Sequence, residues 1–118
     1  MDISKYAADG EWIEIEVESD RELEPFRFFV QPISVSEALA GIGTIERIVP
    51  FCVAAVLDWN FTIGADPLPC TPENKEKYLN RFGLYSVRKI NGATPAEKSN
   101  LAAAVFNFAR RPDSFLKN

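Results

Sequence analysis

Residues Val56-Leu57-Asp58-Trp59-Asn60-Phe61, followed by Asp66-Pro67-Leu68-Pro69-Cys70-Thr71-Pro72-Glu73-Asn74, mark one sharp corner in the chain. Ile45, Ile48, Val49, Cys52, Val53, Val56 and Leu57 recur at spacings of three and four, which predicts an apolar helical stripe running into that corner. Pro50 interrupts the stripe, and because proline removes an internal hydrogen bond, a break close to Pro50 is expected. Gly64 to Pro69 reads as loop. Thr71 then has the chemistry of an N-cap and Pro72 that of a first helical residue, so a helix is expected to about Phe82. None of this punctuation is catalytic chemistry. Asp58 reads as a partner for local backbone at a helix end, and Trp59 as a core anchor whose indole N–H needs one acceptor.

Upstream the period is two. Trp12, Ile13, Ile15 and Val17 alternate with Glu14, Glu16 and Glu18, giving a strand with one apolar and one acidic face. Phe26, Phe28 and Val30 alternate with Arg27, Phe29 and Gln31, and the polar segment from Ser19 to Pro25 lets the two strands pair as an antiparallel hairpin. Arg27 is then placed to face the glutamates across the pair. A third strand is not evident, and an isolated hairpin is marginal in water, so helices must cover its apolar side. Ser34 or Ser36 can cap a helix with Glu37 in its first turn, although Gly41 and Gly43 weaken it. Leu84, Tyr85, Val87 and Ile90 suggest a short helical segment stopped by Asn91-Gly92. Thr94, Pro95 and Glu97 have the spacing of a capping box for a last helix with Leu101, Val105 and Phe108 on its ridge, ended by Pro112. The expectation is a single α+β domain over residues 1–118: an N-terminal antiparallel β-hairpin packed on a bundle of four to five helices, with residues 1–10 a loose lead-in and 111–118 a tail.

Several function classes fall away on composition. Net charge is -4 over 118 residues, and the basic residues form no stripe, which argues against a nucleic-acid partner. Without any histidine, the commonest general base and the commonest metal ligand are both missing, and no cofactor is expected. No apolar run approaches the roughly 20 residues of a membrane span. A charged-then-apolar leader is not evident, so the expected compartment is the cytoplasm, with Cys52 and Cys70 unpaired. Glu14, Glu16 and Glu18 at alternate strand positions read as a solvated face rather than paired catalytic carboxylates or a calcium loop. Gly41-Ile42-Gly43-Thr44 lacks the Lys of a phosphate loop. Lys75 and Lys77 read as an exposed helix face.

What remains is the aromatic content, 12 % of the chain and nine of it phenylalanine. Adjacent Phe28 and Phe29 must point to opposite faces of a strand, and Phe106 and Phe108 lie on different sides of a helix. The exposed members of Phe26, Phe28, Phe29, Phe106 and Phe108, with Phe115 and Leu116 in the tail, are therefore the expected partner-binding residues.

A hairpin, a helix ending in a Trp-Asn corner, a Pro-Leu-Pro loop and a Thr-Pro-capped helix resemble the tail assembly chaperones of long-tailed bacteriophages and prophages. The matching positions are Val56, Asp58, Trp59, Asn60, Asp66, Pro67, Leu68, Pro69, Thr71 and Glu73, with Pro72 opening the helix. The resemblance implies a non-enzymatic role in the bacterial host cytoplasm. Such a chaperone transiently binds the tape-measure protein and tail-tube subunits, binds neither nucleic acid nor membrane, and leaves a homo-oligomer open. Two rivals predict different observations. A neck or tail-completion protein would stay in the virion, and a small carboxylate-based enzyme would hold two nearby acids in one pocket.

Overall fold

The computed structural model describes residues 1–7, 9–40 and 45–116. Two strands form as their alternation requires, β1 (Glu11–Val17) and β2 (Phe26–Val30), paired antiparallel from Glu11 opposite Val30 to Ile15 opposite Phe26. Ile13, Ile15, Phe26, Phe28 and Val30 face inward and are buried. On the outer face the Arg27 Nε lies 3.2 Å from a Glu14 carboxylate oxygen. Arg88 reaches Glu16 at 3.4 Å. Exposed pairs of this kind contribute about 0.2–1 kcal/mol each, so they align the strands more than they stabilise them.

The hairpin is half of a four-stranded antiparallel sheet, and this corrects the expectation of two strands under a large bundle. Residues Val56–Trp59 form β3 beside β2, and Val87–Ile90 form the edge strand beside β1. Between them lies a two-stranded ribbon, β4 (Thr62–Ile63) with β5 (Asp66–Pro67), so the edge strand at Val87–Ile90 is β6. The sheet order is β3-β2-β1-β6. Both outer strands carry a register shift, with Leu57 extra in β3 and Arg88 extra in β6. A bulge adds one residue to a strand of period two. Inward residues then stand three apart: Val56 and Trp59 are buried, as is Val87, with Ile90 half-buried. In sequence that spacing imitates a helix.

Four helices are described: α1 (Val35–Ala40), α2 (Ile45–Ala55), α3 (Pro72–Phe82) and α4 (Leu101–Arg110). They form a layer over one side of the sheet, with α2 between α3 and α4, rather than a bundle of their own. Ser34 caps α1 through the Glu37 N–H at 3.2 Å. Helix α2 runs through Pro50 without the expected break. Pro50 lies on the exposed side, where losing one intrahelical N–H does not open the packed stripe of Val49, Cys52 and Ala55. Residues 41–44, including Gly41, Gly43 and Thr44, lie outside the described residues.

The last helix starts later than Thr94-Pro95-Glu97 suggested. Asn100 is its N-cap, accepting from the Ala103 N–H at 2.8 Å. The capping-box segment runs instead along the edge of β6. There Val87 donates to the Ser99 carbonyl, Leu101 donates to that of Tyr85, and Ser86 bridges Asn100. Satisfying an open strand edge outweighs one more helical turn. Among the described residues, part of each end is tied to the other. Tyr6 pairs with Leu116, Ala7 donates to the Phe115 carbonyl, and Phe115 is buried in a 3-10 turn (Pro112–Phe115) with its ring 5.3 Å from Phe108.

Candidate partner-binding groove

The site grows out of the Asp58-Trp59-Asn60 corner. The Trp59 indole is buried and donates from Nε1 to the Leu68 carbonyl at 2.8 Å, which folds the following loop back over the ring. Asn60 extends the β2–β3 pairing with its side chain. Its Oδ1 accepts from the Arg27 N–H at 3.0 Å, and its Nδ2 donates to the Pro25 carbonyl at 3.0 Å. Asp58 occupies the Trp59 N–H at 2.8 Å. The β4–β5 ribbon turns at Gly64, whose φ of +61° lies in the left-handed region. Pro69 then receives the Asn74 side-chain amide at 2.9 Å, Thr71 caps α3 through the Asn74 N–H at 3.3 Å, and Pro72 is its first residue. The helix start read from the sequence is therefore the one that forms. Such a cap contributes about 1 kcal/mol.

Those constraints set a ladder of rings. Phe61 stacks on Trp59 with centroids 4.5 Å apart and an interplanar angle of 17°. It meets Phe26, Phe28, Tyr78 and Phe82 edge-on at 5.6 to 6.2 Å. Tyr78 and Phe82 stack one turn apart on α3, and Tyr85 continues the series. Edge-on and offset pairs of this kind contribute about 0.5–1.5 kcal/mol beyond their buried area. The ladder is not wholly covered. Phe26, Phe61, Tyr78 and Phe82 floor an open groove of about 290 Å³, with Leu23 and Ile63 on its rims. Ile63 is 61 % exposed and Leu23 42 %, so apolar surface continues out of the groove into solvent.

The seven expected contact residues do not come together. Phe28, Phe106 and Phe115 are sealed in the core, and Phe26 is buried with only an edge in the groove. Phe29 is half-buried on the outer face of the sheet against the exposed Trp12, at 5.5 Å. Phe108 is half-buried against Phe115, and Leu116 is exposed beside Tyr6. The groove instead uses Leu23, Phe61, Ile63, Tyr78 and Tyr85, which sequence reading passed over. The i, i+4 pair Tyr78 and Phe82 was the signal available for its wall. Lys75, expected on an exposed face, is buried and donates from Nζ to the Val56 carbonyl at 2.9 Å, tying α3 to β3.

A larger cleft of about 690 Å³ lies between the Pro95–Asn100 segment and α4 and includes Lys98, Asn107, Arg111 and Ser114. Its one carboxylate is Glu97, so it holds no acid pair. Glu14 and Glu16 are engaged by Arg27 and Arg88. Among the described residues, no group of three or more His, Cys, Asp or Glu is arranged to hold a metal ion. No described helix is long and apolar enough to cross a membrane.

Both cysteines are free. Burial pushes the Cys52 thiol up from 9.0 to about 12 while its Sγ donates to the Ala102 carbonyl at 3.3 Å. Burial also raises that of Cys70, against the opposing pull of Lys75. The thiolate is the reactive form, so alkylation at pH 8 is expected to modify Cys70 slowly and Cys52 only on unfolding, as peptide mass mapping with and without urea would show. A thiol raised by folding contributes stability that is intact below pH 9.0. That contribution falls as pH rises towards about 12. Rapid labelling of native Cys52 would contradict the packing of α2 on α4.

Compared with known protein families, with characterised proteins and with solved structures, the chain finds no match.

Proposed function

We infer that this protein is a non-enzymatic tail assembly chaperone of a long-tailed bacteriophage or prophage. It binds the tape-measure protein and tail-tube subunits transiently in the cytoplasm of the bacterial host. The observation that carries the reading is the open aromatic groove beside the Trp59-Asn60 corner. Asn60, Phe61 and Leu68, from the stretch that carries the resemblance, line it directly. An assembly chaperone needs apolar surface that a partner can cover and later leave. Rings pre-ordered by stacking supply such surface at little entropic cost on binding. The acidic balance of the chain disfavours nucleic acid as the partner.

Co-expression with a phage tape-measure protein is expected to raise that protein's soluble fraction several-fold, and the two should co-purify. Ile63→Asp, on an exposed groove rim, should cut the recovered complex about tenfold or more while leaving the chaperone folded. Unchanged solubility with no co-purification would overturn the reading. Mass spectrometry of purified virions should find the chain absent, whereas a stoichiometric amount would make it a structural component.

A further inference from the structure

The groove has a charged surround that its apolar lining does not explain. The connection between β1 and β2 forms one rim, and it carries Glu18, Asp20, Glu22 and Glu24 with Arg21 as its single base. All five side chains are exposed. Among the described residues none of these four carboxylates takes part in an ion pair, although Glu14 and Glu16 just upstream both do. Glu24 lines the groove itself. Tyr85 lines both the groove and an adjoining cleft that contains Glu18 and Asp20, so the acidic rim continues past the groove's end. On α3, whose Tyr78 and Phe82 line the groove, the Lys77 ammonium lies 5.3 Å from the Tyr78 ring centre.

Both edges of the four-stranded sheet are partly occupied. At the β3 edge the Val56 carbonyl is taken by Lys75 and the Trp59 N–H by Asp58. The β6 edge is covered by the segment that leads into α4. A partner that satisfies its own backbone, as a helix does, needs neither edge.

We propose that the groove seats the apolar ridge of an amphipathic helix whose flank facing the β1–β2 connection carries Lys or Arg. This deepens the chaperone reading and rests on it only for the partner's identity. The volume of about 290 Å³ sits just under the range of pockets that enclose a whole small molecule, about 300–1,000 Å³, and suits one or two anchoring side chains. The anchors supply the affinity. The acidic rim speeds encounter and fixes which way the helix lies, since a reversed helix would turn its cations away from the carboxylates.

Two short synthetic helices test this on the full chain, sharing one leucine ridge at i, i+3, i+4 and i+7, with one flank Lys in the first and Glu in the second. Anisotropy titration is expected to show the Lys peptide binding about tenfold more tightly. Its advantage should shrink as added salt shortens the screening length from roughly 10 Å to 3 Å. Amide shifts should centre on Phe61, Ile63, Tyr78 and Tyr85. The Glu22→Gln, Glu24→Gln double variant should weaken the Lys peptide several-fold at unchanged melting temperature, because both side chains are exposed. Equal affinity for both peptides, shifts centred on Trp12 and Phe29, or no binding would each overturn the proposal. If the Lys peptide binds as described but the tape-measure protein does not co-purify, the chaperone reading fails and this inference stands. If that protein is solubilised while neither peptide enters the groove, the inference fails alone.

Discussion

Trp59→Ala is expected to cost about 3–5 kcal/mol of folding stability, measured by urea unfolding. The indole is 6 % exposed and closes the ring ladder at its inner end. Its loss removes the stack on Phe61, the edge contact with Tyr78 and the bond that holds Leu68 over the sheet. A domain of this size has roughly 5–15 kcal/mol in hand, so the variant is close to unfolding on its own. Trp59→Phe separates the two contributions. It keeps a ring against Phe61 but leaves the Leu68 carbonyl without a donor, and should cost about 1–3 kcal/mol. Since Phe61 also floors the groove, Trp59→Ala should lose peptide binding even under conditions that keep it folded. A cost below about 1 kcal/mol would mean that the corner is not the anchor of the fold.

The hairpin was legible because β1 and β2 keep an unbroken period of two, and Phe28 with Phe29 split between faces as that period demands. The sheet's other half was not. Leu57 and Arg88 are bulge residues, and each turns a strand's inward spacing from two into three. Once that happens, Val56 to Trp59 and Val87 to Ile90 cannot be told from helix by periodicity alone. The start of α4 failed for a different reason. Thr94-Pro95-Glu97 has sound local chemistry for a helix, but β6 has an open edge that only this segment covers. Local propensity yields to a non-local ladder that no window on the sequence contains.

The site divides in the same way. Thr71, Pro72, Asp58 and Trp59 act through partners within a dozen residues, so their bonding was readable, although Asp58 and Trp59 lie on β3 and not at the helix end expected. The groove is assembled from the β1–β2 connection, β2, the β4–β5 ribbon, α3 and Tyr85. Its rim residue Leu23 stands among charged neighbours and carries no pattern of its own. Phe115 shows the converse. It belongs to what reads as a tail beyond the last helix, yet it is buried because α4 and the first residues of the chain close around it.

Gly10 is the second position where one atom should matter greatly. Its φ is +131°, well beyond the left-handed well near +57° that a non-glycine residue can reach. A Cβ there would drive into the Val30 carbonyl, which belongs to the first rung of the β1–β2 ladder and cannot swing aside as a side chain could. Gly10→Ala therefore combines backbone strain of roughly 1–3 kcal/mol with displacement of β2, for a total of about 3–4 kcal/mol. Gly64→Ala is the matched control. Its φ of +61° is accessible at about 1–2 kcal/mol, and nothing lies within 4 Å of the added methyl. Chemical denaturation should order the two variants with Gly10→Ala the worse by about 2 kcal/mol. Hydrogen exchange in Gly10→Ala should show the Glu11–Val30 end of the ladder opening before the Ile15–Phe26 end. Equal costs for the two substitutions would mean that the chain entering β1 is not pinned against β2, and that the hairpin is ordered by its helix-facing side alone.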